Sequence, residues 1–214
     1  MRRHIPNALT LSRLVMAVVV FVLLALYDTE TPSGTALLDA ALAVFILAGI
    51  TDLLDGYLAR KLGTPSTFGR ISDPFVDKVL ICGVFAYFAG AGFLAPTGPR
   101  TMTNLTGVAT WMAVLIFARE ILVTGIRGFS ESQGQAFPTT VVGKAKMALQ
   151  SLTIIWILFV VAHGRHWGTW AGATRDVLIW TTVVFTALSA LVYVRRTRRL
   201  MRLPAKPPAG VSPD

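Results

Sequence analysis

Four aspartates stand in two closely spaced pairs within one short stretch of the chain. Asp52 and Asp55 are three residues apart, and Asp73 and Asp77 are four apart. Either spacing places both carboxylates of a pair on one face of an α-helix. Oxygen ligands without histidine or cysteine favour Mg²⁺ or Mn²⁺ over zinc, and four carboxylates are enough to hold two divalent ions. The pattern therefore predicts a two-metal centre.

Each aspartate also has a structural interpretation. Asp73 precedes Pro74, which is typical of a helix N-cap followed by proline in the first turn. Asp77 could pair with Lys78 or Arg70 at the membrane interface, and Asp52 and Asp55 could be interfacial residues that contact water. An N-cap at Asp73 leaves the other three carboxylates unexplained, so the four together favour a ligand site.

The elements that must position these carboxylates are apolar. Of the 214 residues, 54% are hydrophobic and 14% are charged, and the mean hydropathy is +0.62. A soluble domain carries about 25% charged residues, so the composition argues against an ordinary soluble enzyme and excludes a disordered chain. Cys82 is the only cysteine, so the chain forms no internal disulfide.

Six stretches approach the roughly 20 apolar residues that a helix needs to cross a bilayer. They cover residues 8–27, 35–58, 77–95, 105–127, 143–162 and 176–195. The predicted fold class is an all-α integral membrane protein with six transmembrane helices and a short N-terminal interfacial helix. Residues 1–203 would form one transmembrane domain that carries the site. Residues 204–214, which are rich in proline, are predicted to be a disordered cytoplasmic tail.

The distribution of basic residues predicts the orientation. Most lysines and arginines fall at the two termini and in the 59–78 and 119–146 connectors, whereas the opposite side keeps Arg100, Arg165 and Arg175. Basic loops remain in the cytoplasm, so both termini and the aspartate site are predicted to face the cytoplasm from the cell membrane. The net charge of +9 indicates contact with anionic membrane lipids or an anionic substrate, and not with nucleic acid.

From Asp52 to Asp77 the sequence reads D-x-x-D-G-x-x-A-R, eight residues, G, three residues, D, three residues, D. This pattern resembles the signature of the CDP-alcohol phosphatidyltransferase family at every fixed position. Three further segments are similar to the phosphatidylglycerophosphate synthase branch of that family: Pro6 to Arg13, Arg119-Glu120 with Arg127, and Gly143-Lys144-x-Lys146 with Gln150. The resemblance covers about residues 5–200.

The resemblance implies an enzyme that moves a phosphatidyl group from CDP-diacylglycerol to sn-glycerol 3-phosphate and releases CMP. It implies attack of the acceptor hydroxyl on the β-phosphate, assisted by two divalent ions, Mg²⁺ or Mn²⁺. Six transmembrane helices and a homodimer are typical of the family. The four aspartates would hold the ions, and Asp77 would also act as the general base.

The resemblance also implies a set of nucleotide contacts. They are Gly56, Arg60, Ser66 and Gly69, and Asn7, Thr10 and Arg13 are expected to approach the nucleotide from the N-terminus. Many relatives have threonine at the position of Ser66, and the hydroxyl is kept here. Capping of an interfacial helix is an equally good interpretation of Thr10.

A glycerol 3-phosphate acceptor requires a second group of cations near the metal centre. The candidates are Arg119, Arg127, Lys144 and Lys146, at the cytoplasmic ends of the fourth and fifth predicted helices. These residues could instead serve only to keep their loops in the cytoplasm. Glu120 is expected to pair with one of them.

Two alternatives stay open. The same signature accompanies transfer to other alcohols, among them inositol phosphate, serine and phosphatidylglycerol. A cation transporter could also carry carboxylates within its membrane helices, but it would not account for Gly56, Arg60 and Gly69 beside them. On the side away from the site, the aromatic residues around His163 indicate an interfacial belt, and Asp39 has no predicted role.

Overall fold

A computed structural model describes residues 5–29, 33–62, 67–98, 100–132, 141–164 and 167–201 of the chain. Most of these residues belong to six long helices, which are α1 (Ile5–Ala25), α2 (Gly34–Leu62), α3 (Thr67–Phe88), α4 (Thr110–Ser132), α5 (Val141–His163) and α6 (Thr169–Met201). A 3₁₀ turn (Ala91–Phe93) and two short strands, β1 (Leu94–Gly98) and β2 (Thr101–Asn104), connect α3 to α4. Ser66 and the predicted tail at 204–214 lie outside the described residues.

The six helices pack into a bundle around an apolar core. α1 packs on α2 and α3, α2 on α5, α5 on α6, and α4 on α3 and α6. Ala17, Val20 and Leu24 recur at helical spacing and bury one face of α1, and Phe85 and Phe88 are buried on α3. The core therefore lies between the helices, and their ends are left to carry the polar groups.

The outer surface of the bundle is also apolar. Large side chains such as Val15, Ile121 and Leu188 are exposed, and soluble monomers rarely expose large contiguous apolar patches. Three segments are long and apolar enough to cross a membrane, namely Gly34–Leu54, Val142–His163 and Thr169–Arg195. These features are those of a mostly helical membrane protein.

The third helix is longer than its apolar stretch. α3 begins at Thr67, well before the predicted start at residue 77, so Asp73 and Asp77 both lie inside it. The N-cap interpretation of Asp73 is therefore wrong, and Pro74 removes one hydrogen bond from the helix interior. Hydropathy marks only the part of a helix that suits hydrocarbon, whereas the hydrogen-bonded helix continues through the polar residues before it.

The N-terminal helix is continuous from Ile5 to Ala25. The prediction of a separate, short interfacial helix is therefore wrong for the described part of the chain. Pro6 lies in the first turn of α1, where its missing N–H would have no partner in the helix. The sequence offers no later helix breaker that would divide α1.

The connection from α3 to α4 is a β-hairpin, where the sequence predicted helix up to residue 95. α3 ends at Phe88, two glycines follow, and β1 pairs antiparallel with β2, with Leu94 opposite Asn104. Asn104 Nδ2 and Thr106 Oγ1 both donate to the Phe88 carbonyl, at 2.8 and 2.7 Å. These bonds satisfy an acceptor that the helix end would otherwise leave unpaired. The all-α prediction is correct for the bundle and wrong for this connection.

Candidate active site

Arg13 brings two of the four predicted metal ligands together. It lies on α1, and its side chain is only 2% exposed. Its Nη1 atom lies 2.8 Å from Oδ1 of Asp52 on α2, and its Nη2 atom donates to Oδ1 of Asp77 on α3. Three helices therefore converge at this point. The sequence predicts that Arg13, the last residue of the N-terminal segment that carries the family resemblance, approaches the nucleotide. The structure pairs it with the two carboxylates.

The two carboxylates suit a hard cation. Asp52 and Asp77 offer oxygen ligands only, and 36% and 19% of their side chains remain exposed. Both negative charges converge on a single guanidinium, so the site attracts positive charge. No group of three or more potential metal ligands occurs among the described side chains, which do not include those of Asp55 and Asp73. The fit to a divalent ion therefore rests on Asp52 and Asp77.

The other predicted contacts near the metal centre are placed by their backbone alone. The structure puts Asn7 and Thr10 in α1, Asp55, Gly56 and Arg60 in α2, and Gly69 and Asp73 in α3. Their side chains lie outside the described part of the chain. Helical spacing keeps Asp55 within one turn of Asp52, and Asp73 within about one turn of Asp77.

A cavity of about 300 Å³ opens beside Asp77, between α3, α4, α5 and α6. All four predicted acceptor contacts line it, namely Arg119, Arg127, Lys144 and Lys146. Among the described lining residues, five basic side chains face two acidic ones, because Lys78 and Glu120 also border the space. The cavity therefore carries an excess of positive charge next to a carboxylate, which suits an anionic ligand.

The basic side chains of α4 and α5 at the cavity form what we call the basic wall: Arg119, Arg127, Lys144 and Lys146. Glu120 is the counter-ion of this basic wall. Its Oε1 accepts hydrogen bonds from Lys146 Nζ and from Arg119 Nη1, the latter at 3.1 Å. All three side chains are buried, and a buried charge is tolerated only when it is paired in this way. The expected pairing of Glu120 with a neighbouring cation is confirmed, and the carboxylate takes two cations instead of one.

Arg119 is oriented by α6. Its Nε atom donates to Ser189 Oγ at 3.0 Å, and its guanidinium lies 5.3 Å from the centre of the Tyr193 ring. Its Nη2 atom and the Nε atom of Arg127 are buried without a hydrogen-bond partner among the described residues. Two guanidinium donors at the cavity are therefore available for a ligand. The sequence did not indicate Ser189 or Tyr193, because their contribution depends on how α6 packs on α4.

Lys78 has a structural partner. Its Nζ atom donates to Thr124 Oγ1 at 2.7 Å, and Thr124 in turn donates to the Glu120 carbonyl at 2.6 Å. The suggested pairing of Lys78 with Asp77 is absent from the ion pairs of the described residues. This lysine links α3 to α4 at the edge of the cavity.

The opposite end of α2 carries a separate polar contact. Asp39 lies 3.7 Å from Nε2 of His163 at the end of α5, and both side chains are well exposed. Asp39 and Asp52 are thirteen positions apart in α2, which corresponds to about 20 Å along a helix. His163 stacks on Phe159, which meets the Trp167 ring edge to face. These aromatic contacts fit the predicted interfacial belt, and Asp39 belongs to that end of the bundle.

Comparison with known proteins places the chain in a family. A family model described as CDP-alcohol phosphatidyltransferase matches residues 3–188. A Bacillus subtilis protein named CDP-diacylglycerol–glycerol-3-phosphate 3-phosphatidyltransferase is 29% identical over 197 residues, covering 89% of this chain and 93% of its own. Proteins of the same name from Rickettsia bellii and Escherichia coli K12 are each 28% identical, covering 92% of this chain and 96% and 97% of their own.

The family uses divalent metal ions, in agreement with the oxygen ligands that Asp52 and Asp77 supply beside the cavity. Its members are transferases of phospholipid biosynthesis. The chain therefore belongs to the CDP-alcohol phosphatidyltransferase family and is an enzyme of that class.

Proposed function

We propose that the chain transfers the phosphatidyl group of CDP-diacylglycerol to sn-glycerol 3-phosphate, releasing CMP. The observation that carries the proposal is the cavity in which Asp77 and the basic side chains of α4 and α5 line one space. A carboxylate for the acceptor hydroxyl and cations for the acceptor phosphate are both required by this substrate. The names of the relatives from three bacteria support the same acceptor.

Asp77 is the proposed general base. Arg13 Nη2 donates to its Oδ1 atom, and this contact orients the carboxylate. The acceptor hydroxyl at C1 would donate to this carboxylate, which takes the proton as the hydroxyl oxygen attacks. A bond then forms between that oxygen and the β-phosphorus, while the bond from the β-phosphorus to the bridging oxygen breaks. CMP leaves with that electron pair, and the phosphatidyl group remains on the acceptor.

The phosphate of the acceptor would bind the basic wall. Arg119 and Arg127 supply the buried donors that have no partner among the described residues, and Lys144 is exposed at the edge of the same space. Lys146 is already paired with Glu120, which also accepts from Arg119 Nη1, so Lys146 adds positive charge to the cavity. Arginine presents a planar fork that matches phosphate oxygens.

The metal and nucleotide sites follow the family pattern. Asp52, Asp55, Asp73 and Asp77 are proposed to hold two divalent ions, Mg²⁺ or Mn²⁺. When bound, such ions neutralise charge that develops on the pyrophosphate oxygens. The proposed contacts to the CDP moiety are Gly56, Arg60, Ser66, Gly69, Asn7 and Thr10. Gly69 leaves room for the flat base, and Arg60 can offer a guanidinium fork to a phosphate.

All six helices are proposed to cross the cell membrane, with both termini and the site facing the cytoplasm. Three apolar segments and the apolar outer surface support the membrane location. The lipid tails of CDP-diacylglycerol would then stay in the bilayer while its headgroup reaches Asp52 and Asp77 at the polar end of the helices. A homodimer, which is typical of the family, is proposed as the assembly.

Two other functions are weaker candidates. Transfer to inositol phosphate, serine or phosphatidylglycerol would use the same aspartates, and the charge of the cavity distinguishes them only in part. Serine has a single carboxylate and its own ammonium group, so it needs fewer cations, whereas inositol phosphate and phosphatidylglycerol are anions that the cavity also suits. A cation transporter is disfavoured because its path would run beside a cavity with an excess of positive charge.

The test is CMP release by the purified full chain in detergent micelles that contain CDP-diacylglycerol and Mg²⁺. Each candidate acceptor is added separately, and the lipid product is identified by mass. We expect release with glycerol 3-phosphate and little with the other alcohols. Release with another alcohol but none with glycerol 3-phosphate would contradict the proposed acceptor. Ion flux across vesicles without any requirement for CDP-diacylglycerol would support the transporter instead.

A further inference from the structure

Gln150 is a buried polar residue that the proposed mechanism does not use. It lies on α5, one turn beyond Lys146, and lines the cavity that also contains Asp77. Its side chain is 0% exposed, and neither its Oε1 nor its Nε2 atom has a hydrogen-bond partner among the described residues. A buried amide without partners is costly. Such groups in folded proteins indicate a bound ligand or ordered water.

The register of α5 and α6 gives Gln150 a polar neighbour. The hydroxyls of Thr153 and Thr182 share a hydrogen bond of 2.7 Å, and a short connection makes the two helices antiparallel. One turn closer to the cavity, this register brings Gln150 to the level of Thr186. The Oγ1 atom of Thr186 is also buried and has no partner within the described part of the chain. The hydroxyls of Thr153 and Thr182 are therefore paired with each other. The Gln150 amide and the Thr186 hydroxyl, one turn closer to the cavity, have no hydrogen-bond partner among the described residues.

The acceptor proposed above carries one polar group that has no assigned partner. Its C1 hydroxyl is directed to Asp77, and its phosphate to the basic wall of Arg119 and Arg127. The C2 hydroxyl, which lies between them, is both a donor and an acceptor. Lysine and arginine can only donate, and an ionised carboxylate can only accept, whereas a glutamine amide does both. Thr124, another hydroxyl at the cavity, is already bonded to Lys78 and to the Glu120 carbonyl.

We infer that Gln150 is a specificity-determining residue that binds the C2 hydroxyl of the acceptor. The inference rests on the proposed function, and it adds a means of selecting a glycerol phosphate over an alkyl phosphate of the same charge and length. A site built to hydrogen-bond a hydroxyl rejects an analogue that lacks it, because the buried polar groups are then left unpaired. The basic wall cannot make this distinction, since both ligands carry the same phosphate.

The test removes the Gln150 amide, the C2 hydroxyl of the acceptor, or both. CMP release is measured for the full chain and for Gln150→Leu, each with sn-glycerol 3-phosphate and with 3-hydroxypropyl phosphate, which lacks only the C2 hydroxyl. We expect the wild-type protein to prefer glycerol 3-phosphate by roughly 10- to 100-fold in kcat/KM. In Gln150→Leu the preference should fall to within about threefold, because the variant loses activity with glycerol 3-phosphate and little with the analogue.

The matched control is Thr153→Val, one turn deeper on the same face of α5. It removes a buried hydroxyl that is paired with Thr182 and does not line the cavity, so its preference should equal that of the wild type. Gln150→Met, which keeps the side-chain length, serves if Gln150→Leu does not fold. If neither variant folds, the test is the ratio of kcat/KM for glycerol 3-phosphate to kcat/KM for 3-hydroxypropyl phosphate in the wild-type protein. A ratio below about threefold contradicts the inference.

Equal losses with both acceptors in Gln150→Leu would also overturn the inference, because they show a structural role or a site filled by water alone. Failure of the proposed function gives a different result. In that case the wild-type protein releases no CMP with either acceptor but does so with another alcohol. The two failures are therefore distinguishable within one set of assays.

Discussion

Two neighbouring clusters of charged side chains differ in the ratio of cations to carboxylates and in how exposed the carboxylates are. The aspartate cluster consists of Arg13, Asp52 and Asp77, and the glutamate cluster consists of Glu120, Arg119 and Lys146. Glu120 is 7% exposed and has two cations, whereas the two aspartates share one cation and stay partly accessible. A carboxylate with a surplus of cations serves as a counter-ion. Two carboxylates on one cation retain negative charge, which a further cation can neutralise.

The largest expected effect is on turnover and separates the clusters. In Asp77→Asn the amide cannot take the proton of the acceptor, so we expect CMP release to fall by at least about 10²-fold. The helical circular dichroism should be unchanged. Glu120→Gln is the matched change in the glutamate cluster, and it should retain far more turnover per folded molecule. Release by Asp77→Asn within tenfold of the wild type would remove Asp77 from the chemical step.

The free energy of unfolding should depend more on the glutamate cluster than on the aspartate cluster. Glu120→Gln leaves two buried cations without a counter-ion, and breaking such a pair costs about 3–5 kcal/mol. Asp52→Asn leaves Arg13 its contact with Asp77 and changes a partly accessible side chain, so we expect a smaller loss. Denaturant unfolding in detergent, followed by tryptophan fluorescence, measures both. The comparison is wrong if Asp52→Asn is the less stable of the two variants.

A smaller effect is expected along the basic wall. Arg127→Ala removes one charged donor from the phosphate, so the KM for glycerol 3-phosphate should rise roughly tenfold with little change in kcat. Arg100 is an exposed arginine in the turn between β1 and β2, so Arg100→Ala is the control and should leave both constants unchanged. A fall in kcat with an unchanged KM would show that Arg127 does not bind the acceptor.

The smallest effect should be at the far end of α2. Asp39→Asn removes an exposed contact with His163, and exposed ion pairs contribute about 0–1 kcal/mol. Steady-state kinetics with glycerol 3-phosphate should equal those of the wild type, and the unfolding midpoint should change little. A loss of turnover comparable to that of Asp77→Asn would show that the two ends of the bundle are coupled.

Local spacing predicted the helical faces of the site, and non-local packing decided the rest. The three- and four-residue separations predicted that each aspartate pair shares a face, and Asp52 and Asp77, one member of each pair, meet on Arg13. The faces of Asp55 and Asp73 stay a prediction, because their side chains lie outside the described residues. Hydropathy placed the apolar part of α3 but not its start at Thr67, because polar turns extend a helix beyond hydrocarbon. The hairpin between α3 and α4 was not predicted, although nearly all of its residues fall in the connector between the third and fourth apolar stretches. The turn residues of that connector indicated a break between helices but not the pairing of two strands.

The environment of Gln150 also could not be predicted from local sequence. The sequence places it one turn from Lys146, within the resemblance, but not in a cavity. Its environment depends on α6, whose register against α5 is set by Thr153 and Thr182. No pattern within α5 alone predicts that its amide is buried without a partner. Contacts between helices distant in sequence therefore decide which polar residues are structural and which are available to a ligand.

Binding of Mn²⁺ distinguishes the two clusters before any chemistry occurs, since we propose that the divalent ions bind the aspartate cluster and not the glutamate cluster. The purified full chain in detergent is titrated with Mn²⁺, before any substrate is added, and the free ion is measured by electron paramagnetic resonance. We expect the wild-type protein and Glu120→Gln to bind Mn²⁺ alike and Asp52→Ala to lose binding. Equal binding by Asp52→Ala and the wild type, or no binding by the wild type, would show that the aspartate cluster does not hold the ions.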